Sequence, residues 1–276
     1  YDTVNLVAVV GEDCPPAFLE HFRSRPVDLA GLQVVEGTTF RWGGRYHLDM
    51  NSRDTLYTEL GVLADFQARV PAAYRHSEVV FLANMQPNVQ LEVLRQVAGA
   101  RLVAMDTMNL WIATARDELV EVMRQVDVVL IAEEEARQFA GTPGLRAAVR
   151  AILALGPKLL VVKQGSYGAL LFGADGHFFA APAFPLEEVR DPTGAGDTFA
   201  GGFLGDLAGR IRAVHAVTAL DYRRALVHGN ILGAFACEEF GVDRLLRLTE
   251  SEIAARYREF VGYTHFEGNW AEGNDG

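Results

Sequence analysis

The chain has 276 residues and a formal net charge of −11 at pH 7; 50% of it is hydrophobic and 22% charged, the balance of a packed globular protein. An acidic surface repels phosphate backbones and anionic lipid, which sets aside nucleic-acid and membrane-surface roles. Cys14 and Cys237 stand far apart, as reduced thiols rather than a disulfide framework, and no leader or apolar run of spanning length is visible, so the sequence predicts a soluble, cytoplasmic protein.

Residues 4–10 open the chain as a Val-rich strand. Around 33–50, β-favouring and aromatic residues surround Gly43-Gly44, which predicts a hairpin too small to hold its own core. Such a hairpin must lean on the main domain, as a lid over a site or as a surface for a second copy; Phe40, Trp42 and Tyr46 either close over substrate or simply keep the lid attached. Four further apolar runs, 79–82, 102–105, 128–131 and 159–162, carry little polar interruption, as parallel strands covered on both faces should. Helical patterns at 90–97, 117–124, 133–140 and 144–155 alternate with them, and this alternation predicts a mainly parallel sheet with helices on both faces. Residues 169–172 and 177–180 flank the turn Gly173-Ala174-Asp175-Gly176 and predict an edge hairpin. Helices follow at 198–208, 222–239 and 250–261, the last announced by the capping box of Thr249 and Glu252. The polar, Gly-rich tail 268–276 is expected to fray.

The stretch Asp191-Pro192-Thr193-Gly194-Ala195-Gly196-Asp197-Thr198-Phe199 carries the most chemical information. Phe199, Ala200, Phe203, Leu204, Leu207 and Ala208 recur at helical spacing, so Gly194, Ala195 and Gly196 occupy a helix entrance. Small residues there let backbone N–H groups approach an anion that the helix dipole also favours. Asp197 is then either a plain helix cap or a carboxylate held beside an anion nest.

The whole string resembles the C-terminal signature of the ribokinase-like (PfkB) kinase family, D-T-x-G-A-G-D-x-F, with Pro192 in place of the usual small residue. The resemblance extends over nearly the whole chain. It implies a ribokinase-like three-layer α/β/α sandwich over residues 1–276, with the hairpin as a small β lid. It implies an ATP-dependent kinase acting on a hydroxyl of a sugar or nucleoside. In that resemblance Asp197 takes the acceptor's proton, and Gly194, Ala195 and Gly196 stabilise charge on the transferred phosphoryl group. Thr193, Gly165, Gly168 and Lys163 fall at the nucleotide, although Lys163 is equally a solvated strand-end lysine and the two glycines a turn into the next strand. Asn230 falls near the adenine, or is a buried hydrogen-bonded asparagine. Glu135 matches the Glu of N-x-x-E, which holds Mg²⁺ through water, while Ala132 replaces the Asn. Asp191 binds a monovalent cation or braces the turn. The resemblance also implies a small-molecule acceptor, and the lid hairpin itself offers the surface for a homodimer.

Two departures accompany it. Residues 4–13 resemble the second stretch of the family plan, so the first strand and the Gly-rich acceptor-binding segment are expected to be missing. Ala132 leaves room for an alternative reading, a weak or inactive nucleotide-binding homologue that acts as a sensor. Neither G-x-G-x-x-G after the first strand nor G-x-x-x-x-G-K-[ST] is present, which disfavours a dinucleotide-binding dehydrogenase and a P-loop NTPase.

Overall fold

A computed structural model describes residues 3–213 and 217–265, so the tail expected to fray lies outside the described residues. The first strand, β1 (Val4–Gly11), leads through α1 (Pro16–Arg23) to β2 (Val27–Val35), and the two pair in parallel as a separate two-stranded sheet. This corrects the placing of residues 4–10 as a buried strand of the main sheet: Val4 is exposed and Leu6 to Val10 are only half-buried. A Val-rich run satisfies a small two-stranded layer as well as a central strand, because periodicity says nothing about which neighbour pairs with it.

The hairpin follows as β3 (Arg41–Tyr46) and β4 (Arg53–Glu59), antiparallel. It is longer and later than the expected 33–50, since its turn spans 47–52 and residues up to Val35 belong to β2. Gly43 and Gly44 are not the turn but sit inside β3, where the register shifts. A Cβ at Gly43 would fall 2.4 Å from the Tyr57 ring, and one at Gly44 2.3 Å from Trp42, so these glycines make room for aromatic neighbours.

The main body is a six-stranded sheet. Its parallel strands are β5 (Val79–Leu82), β6 (Leu102–Asp106), β7 (Val128–Ala132) and β8 (Leu159–Lys163), with the antiparallel β9 (Ala169–Gly173) and β10 (Phe178–Ala181) on the β8 side, in the order 10-9-8-7-6-5. Crossovers run through α2 (Pro87–Gln96), α3 (Asn109–Thr114), α4 (Arg116–Met123), α5 (Glu133–Ala140) and α6 (Leu145–Leu153). The chain closes with α7 (Ala195–Ala213), α8 (Ala219–Ala236), α9 (Asp243–Leu246) and α10 (Glu250–Thr264).

Alternation along the strands divides the core into two layers. Leu102, Ala104, Val128, Leu130, Leu159 and Val161 pack against Phe199, Phe203, Leu226 and Phe235 of α7 and α8. Met105, Val129, Ile131, Leu160 and Val162 face the other way, onto Leu119, Val122, Phe139 and Ile152. Helices α7 and α8 cross closely because two glycines meet: a Cβ on Gly202 would lie 3.2 Å from the Gly229 Cα. Both late helices start on capping boxes, Thr218 with Asp221 and Thr249 with Glu252. Among the described residues, no helix is long and apolar enough to cross a membrane.

Candidate active site

Three parallel strands end at one crevice, the usual ligand position in an open α/β sheet. Asp106 is the last residue of β6, Ala132 of β7 and Lys163 of β8, and Ala132 and Lys163 are direct register partners. The N-terminus of α7 faces the same crevice: a Cβ on Gly196 would stand 3.5 Å from Lys163 Nζ.

At that helix start the N–H of Ala195 donates to the Pro192 carbonyl (3.1 Å), and those of Gly194, Gly196 and Asp197 make no hydrogen bond among the described residues. Gly194 has φ +78 and nothing within 4 Å of its missing Cβ, so the left-handed turn that aims these donors outward belongs to Gly194. Free N–H groups, a left-handed glycine and a 19-residue helix behind them form an anion nest. The turn is braced from below. Asp191 Oδ1 accepts from the Thr193 N–H (2.9 Å) and Oδ2 from the Gly241 N–H (3.0 Å). Burial pushes the Asp191 carboxyl up, but these donors outweigh it and hold it below the usual range. Of the two roles open to Asp191 in the sequence, bracing is the one these contacts support.

Beside the nest lies a charge cluster. Lys163 Nζ donates to Asp106 Oδ2 at 2.6 Å, with the two side chains only 18% and 3% exposed. Burial works against the ammonium, yet Asp106, Glu135 and Asp197 together raise its pKa, so Lys163 is no solvated strand-end lysine. Asp197 keeps solvent access at the mouth of α7. Partial desolvation by the surrounding protein still pushes its carboxyl up, Asp106 adds to the rise and Lys163 opposes it. Glu135 is raised mainly by burial, against the pull of Lys163 and the Ala132 N–H. That N–H donates to Glu135 Oε2 (2.9 Å), half of a capping box, since an alanine has no side-chain oxygen to complete it. Glu135 thus keeps one oxygen without a protein partner among the described residues.

The hairpin reaches the site from above. The Thr193 hydroxyl donates to the Tyr46 phenol oxygen (3.2 Å), and Asn51 Oδ1 accepts from the Ser166 N–H (3.0 Å). Gly165 needs to be glycine here: its φ is +57 and a Cβ would fall 1.8 Å from Asn51 Oδ1. Gly168 and Asn230 meet elsewhere, on one piece of backbone. A Cβ at Gly168 would collide with the Ala181 carbonyl at 2.2 Å, and the Asn230 amide donates to the carbonyls of Ala181 and Pro182 (3.2 and 3.0 Å). Asn230 is buried and hydrogen-bonded, as one of its two readings expects.

The structure therefore gathers Lys163, Gly194, Gly196, Asp197 and Glu135 at one crevice, with Thr193 and Gly165 at its rim under the hairpin. Sequence reasoning missed Asp106, Asn51 and Ser166. A carboxylate closing a parallel strand was the available signal for Asp106. No local pattern marks Asn51, whose partner is 115 residues away.

A phosphate-bearing nucleotide fits this arrangement, since the nest offers unpartnered donors and Lys163 stands beside them. The hydroxyl of buried Thr107, next to Asp106, also lacks a partner among the described residues. Among those residues no cluster of three or more His, Cys, Asp or Glu is arranged to hold a metal by itself. A divalent ion fits only as one that shares its ligands with a nucleotide and water.

Residues 2–247 match the profile of the pfkB family carbohydrate kinases. A cytidine kinase of Thermococcus kodakarensis is 35% identical over 207 residues, spanning 73% of this chain and 72% of that protein. Among solved structures, a Methanocaldococcus jannaschii nucleoside kinase, an archaeal member of the ribokinase family, superposes with a TM-score of 0.74 at 19% identity, over 93% of this chain and 81% of that one. A Burkholderia thailandensis nucleoside kinase in complex with inosine gives 0.74 at 19% identity, over 94% and 80% of the respective chains.

Proposed function

The chain belongs to the pfkB family of carbohydrate kinases, and on that premise we propose that it transfers the γ-phosphate of ATP to a hydroxyl of a nucleoside, with Asp197 as general base. The observation that carries this is the placing of Asp197 on α7 beside three unpartnered backbone donors, with Lys163 across from them. Phosphoryl transfer asks a protein for positioning and charge stabilisation more than for covalent chemistry. In this reading Asp197 accepts the acceptor's proton. The N–H groups of Gly194, Gly196 and Asp197 take up charge on the oxygens of the group in transit, and Lys163, fixed by Asp106, adds a positive charge that does not have to be reorganised. Glu135 would hold Mg²⁺ through water at its second oxygen, and the ion would supply neutralisation of phosphate charge.

The raised pKa of Asp197 makes it a stronger base than an ordinary aspartate, at the expense of losing activity earlier as pH falls. Similarity to a cytidine kinase supports a nucleoside rather than a free sugar as acceptor. We also propose that the hairpin, which leaves Leu48, Leu56 and Tyr57 exposed, pairs with that of a second copy; sedimentation tests this.

The experiment is an ATP-turnover assay with cytidine, other nucleosides, ribose and common hexoses. A nucleoside should exceed every free sugar in kcat/KM by about tenfold or more, the discrimination that pocket contacts supply. Preference for a free sugar would correct the acceptor. Nucleotide binding without turnover on any acceptor would favour the sensor reading.

A further inference from the structure

We propose that Arg53, carried by the hairpin, is the cation that recognises the terminal phosphate of the nucleotide when the hairpin lies against the site. The proposal rests on the reading of the crevice as an ATP site. Side chains of directly opposed residues in an antiparallel pair stand on the same face, and Arg53 is opposite Tyr46. Tyr46 reaches Thr193, the residue before Gly194, so that face of the hairpin looks onto the nest. Two residues before Arg53, Asn51 fixes the turn to Ser166. Arg53 is thus pinned between two contacts that bracket the crevice. Its charge also reaches Glu135 on the crevice floor, whose ionised form it favours.

The other cations of the hairpin have partners or the wrong side. Arg41 pairs with Asp13 at 2.7 Å, and His47 with Asp54 at 3.0 Å. Arg45, next in sequence to Tyr46 and opposite Asp54, stands on the other face. Arg53 forms no ion pair among the described residues; its guanidinium rests 5.7 Å from the centroid of the Trp42 ring. Such an exposed cation–π contact is weak, about 0.5–1 kcal/mol, and releases easily. The crevice itself sets Asp106, Glu135 and Asp197 against Lys163, whose charge is already held by Asp106. A polyphosphate entering that acidic setting needs a further cation, and a guanidinium matches phosphate oxygens bidentately.

The test compares ADP with a non-hydrolysable ATP analogue by calorimetry, at fixed Mg²⁺, on wild type, Arg53→Gln and Arg53→Lys. Arg53→Gln should lose about tenfold in affinity for the ATP analogue, the worth of one charge-assisted contact, and keep its ADP affinity. Arg53→Lys should recover part of the loss. Equal losses for both nucleotides, or no loss for either, would overturn the assignment, while wild-type binding would leave the site reading in place. If wild type bound neither nucleotide, both would fall.

Discussion

Asp197 shows how one side chain serves two purposes that oppose each other. Partial desolvation by the surrounding protein and the nearby Asp106 charge raise its pKa, which suits a base but leaves a charge that the fold does not welcome. Asp197→Asn should therefore cut kcat by roughly 100- to 10,000-fold, the usual span for a general base, while the melting temperature at pH 7 stays equal or rises. Turnover assays and a thermal melt on the same preparation check both; a loss below tenfold would remove Asp197 from the role. Glu135 offers a second residue-scale test. Glu135→Gln keeps an oxygen for the Ala132 N–H, so the α5 cap survives and only the charge is lost. The Mg²⁺ concentration for half-maximal turnover should rise severalfold with little change in kcat at saturation. An unchanged titration would reduce Glu135 to a helix-start charge.

At the scale of elements, one hydrogen bond latches the hairpin to the loop after β8. Asn51 reaches the Ser166 N–H only because Gly165 has no side chain in its way. Gly165→Ala combines a left-handed backbone, unfavourable by about 1–2 kcal/mol for an L residue, with expulsion of Asn51. It should lower the melting temperature by several degrees and raise KM for both substrates. Asn51→Ala removes the latch alone, so it should reproduce the KM effect without the full loss of stability. KM values unchanged from wild type in both variants would mean that the hairpin does not close the site. The α7 start relies on a glycine in the same way, with Gly194 supplying the left-handed turn.

Over the whole molecule, titration divides by location. Asp49 and Glu252 on the surface are held down to about 2 by local donors, and Asp191 is held low by its turn. Groups of this kind stabilise the fold above their unfolded pKa and lose that contribution as pH falls. Asp197 and Glu135 in the crevice are raised, so they contribute stability at low pH and lose it as pH rises through their folded pKa. The difference in melting temperature between wild type and the Asp197→Asn, Glu135→Gln double variant should then grow in the variant's favour from pH 4 to pH 7. A difference that stays flat across that range would show that neither carboxyl titrates abnormally.

The element list was legible in the sequence because it depends on local periodicity. The uninterrupted run at 128–131 and the helical pattern at 133–140 became β7 and α5, and Thr249 with Glu252 began α10 as expected. Gly194 to Asp197 also declared the nest locally, since a small-residue turn entering an apolar-faced helix is written within a dozen positions. The partnerships were not legible. Lys163 finds Asp106 across 57 residues, Ser166 finds Asn51 across 115, and Arg53 stands over the crevice only because Tyr46 is its register partner. Residues 4–10 read as one more central strand and instead paired with β2 alone among the described residues. Strand order, register and the docking of a hairpin are set by which surfaces bury each other best across the whole chain, and no window of neighbouring residues contains that information.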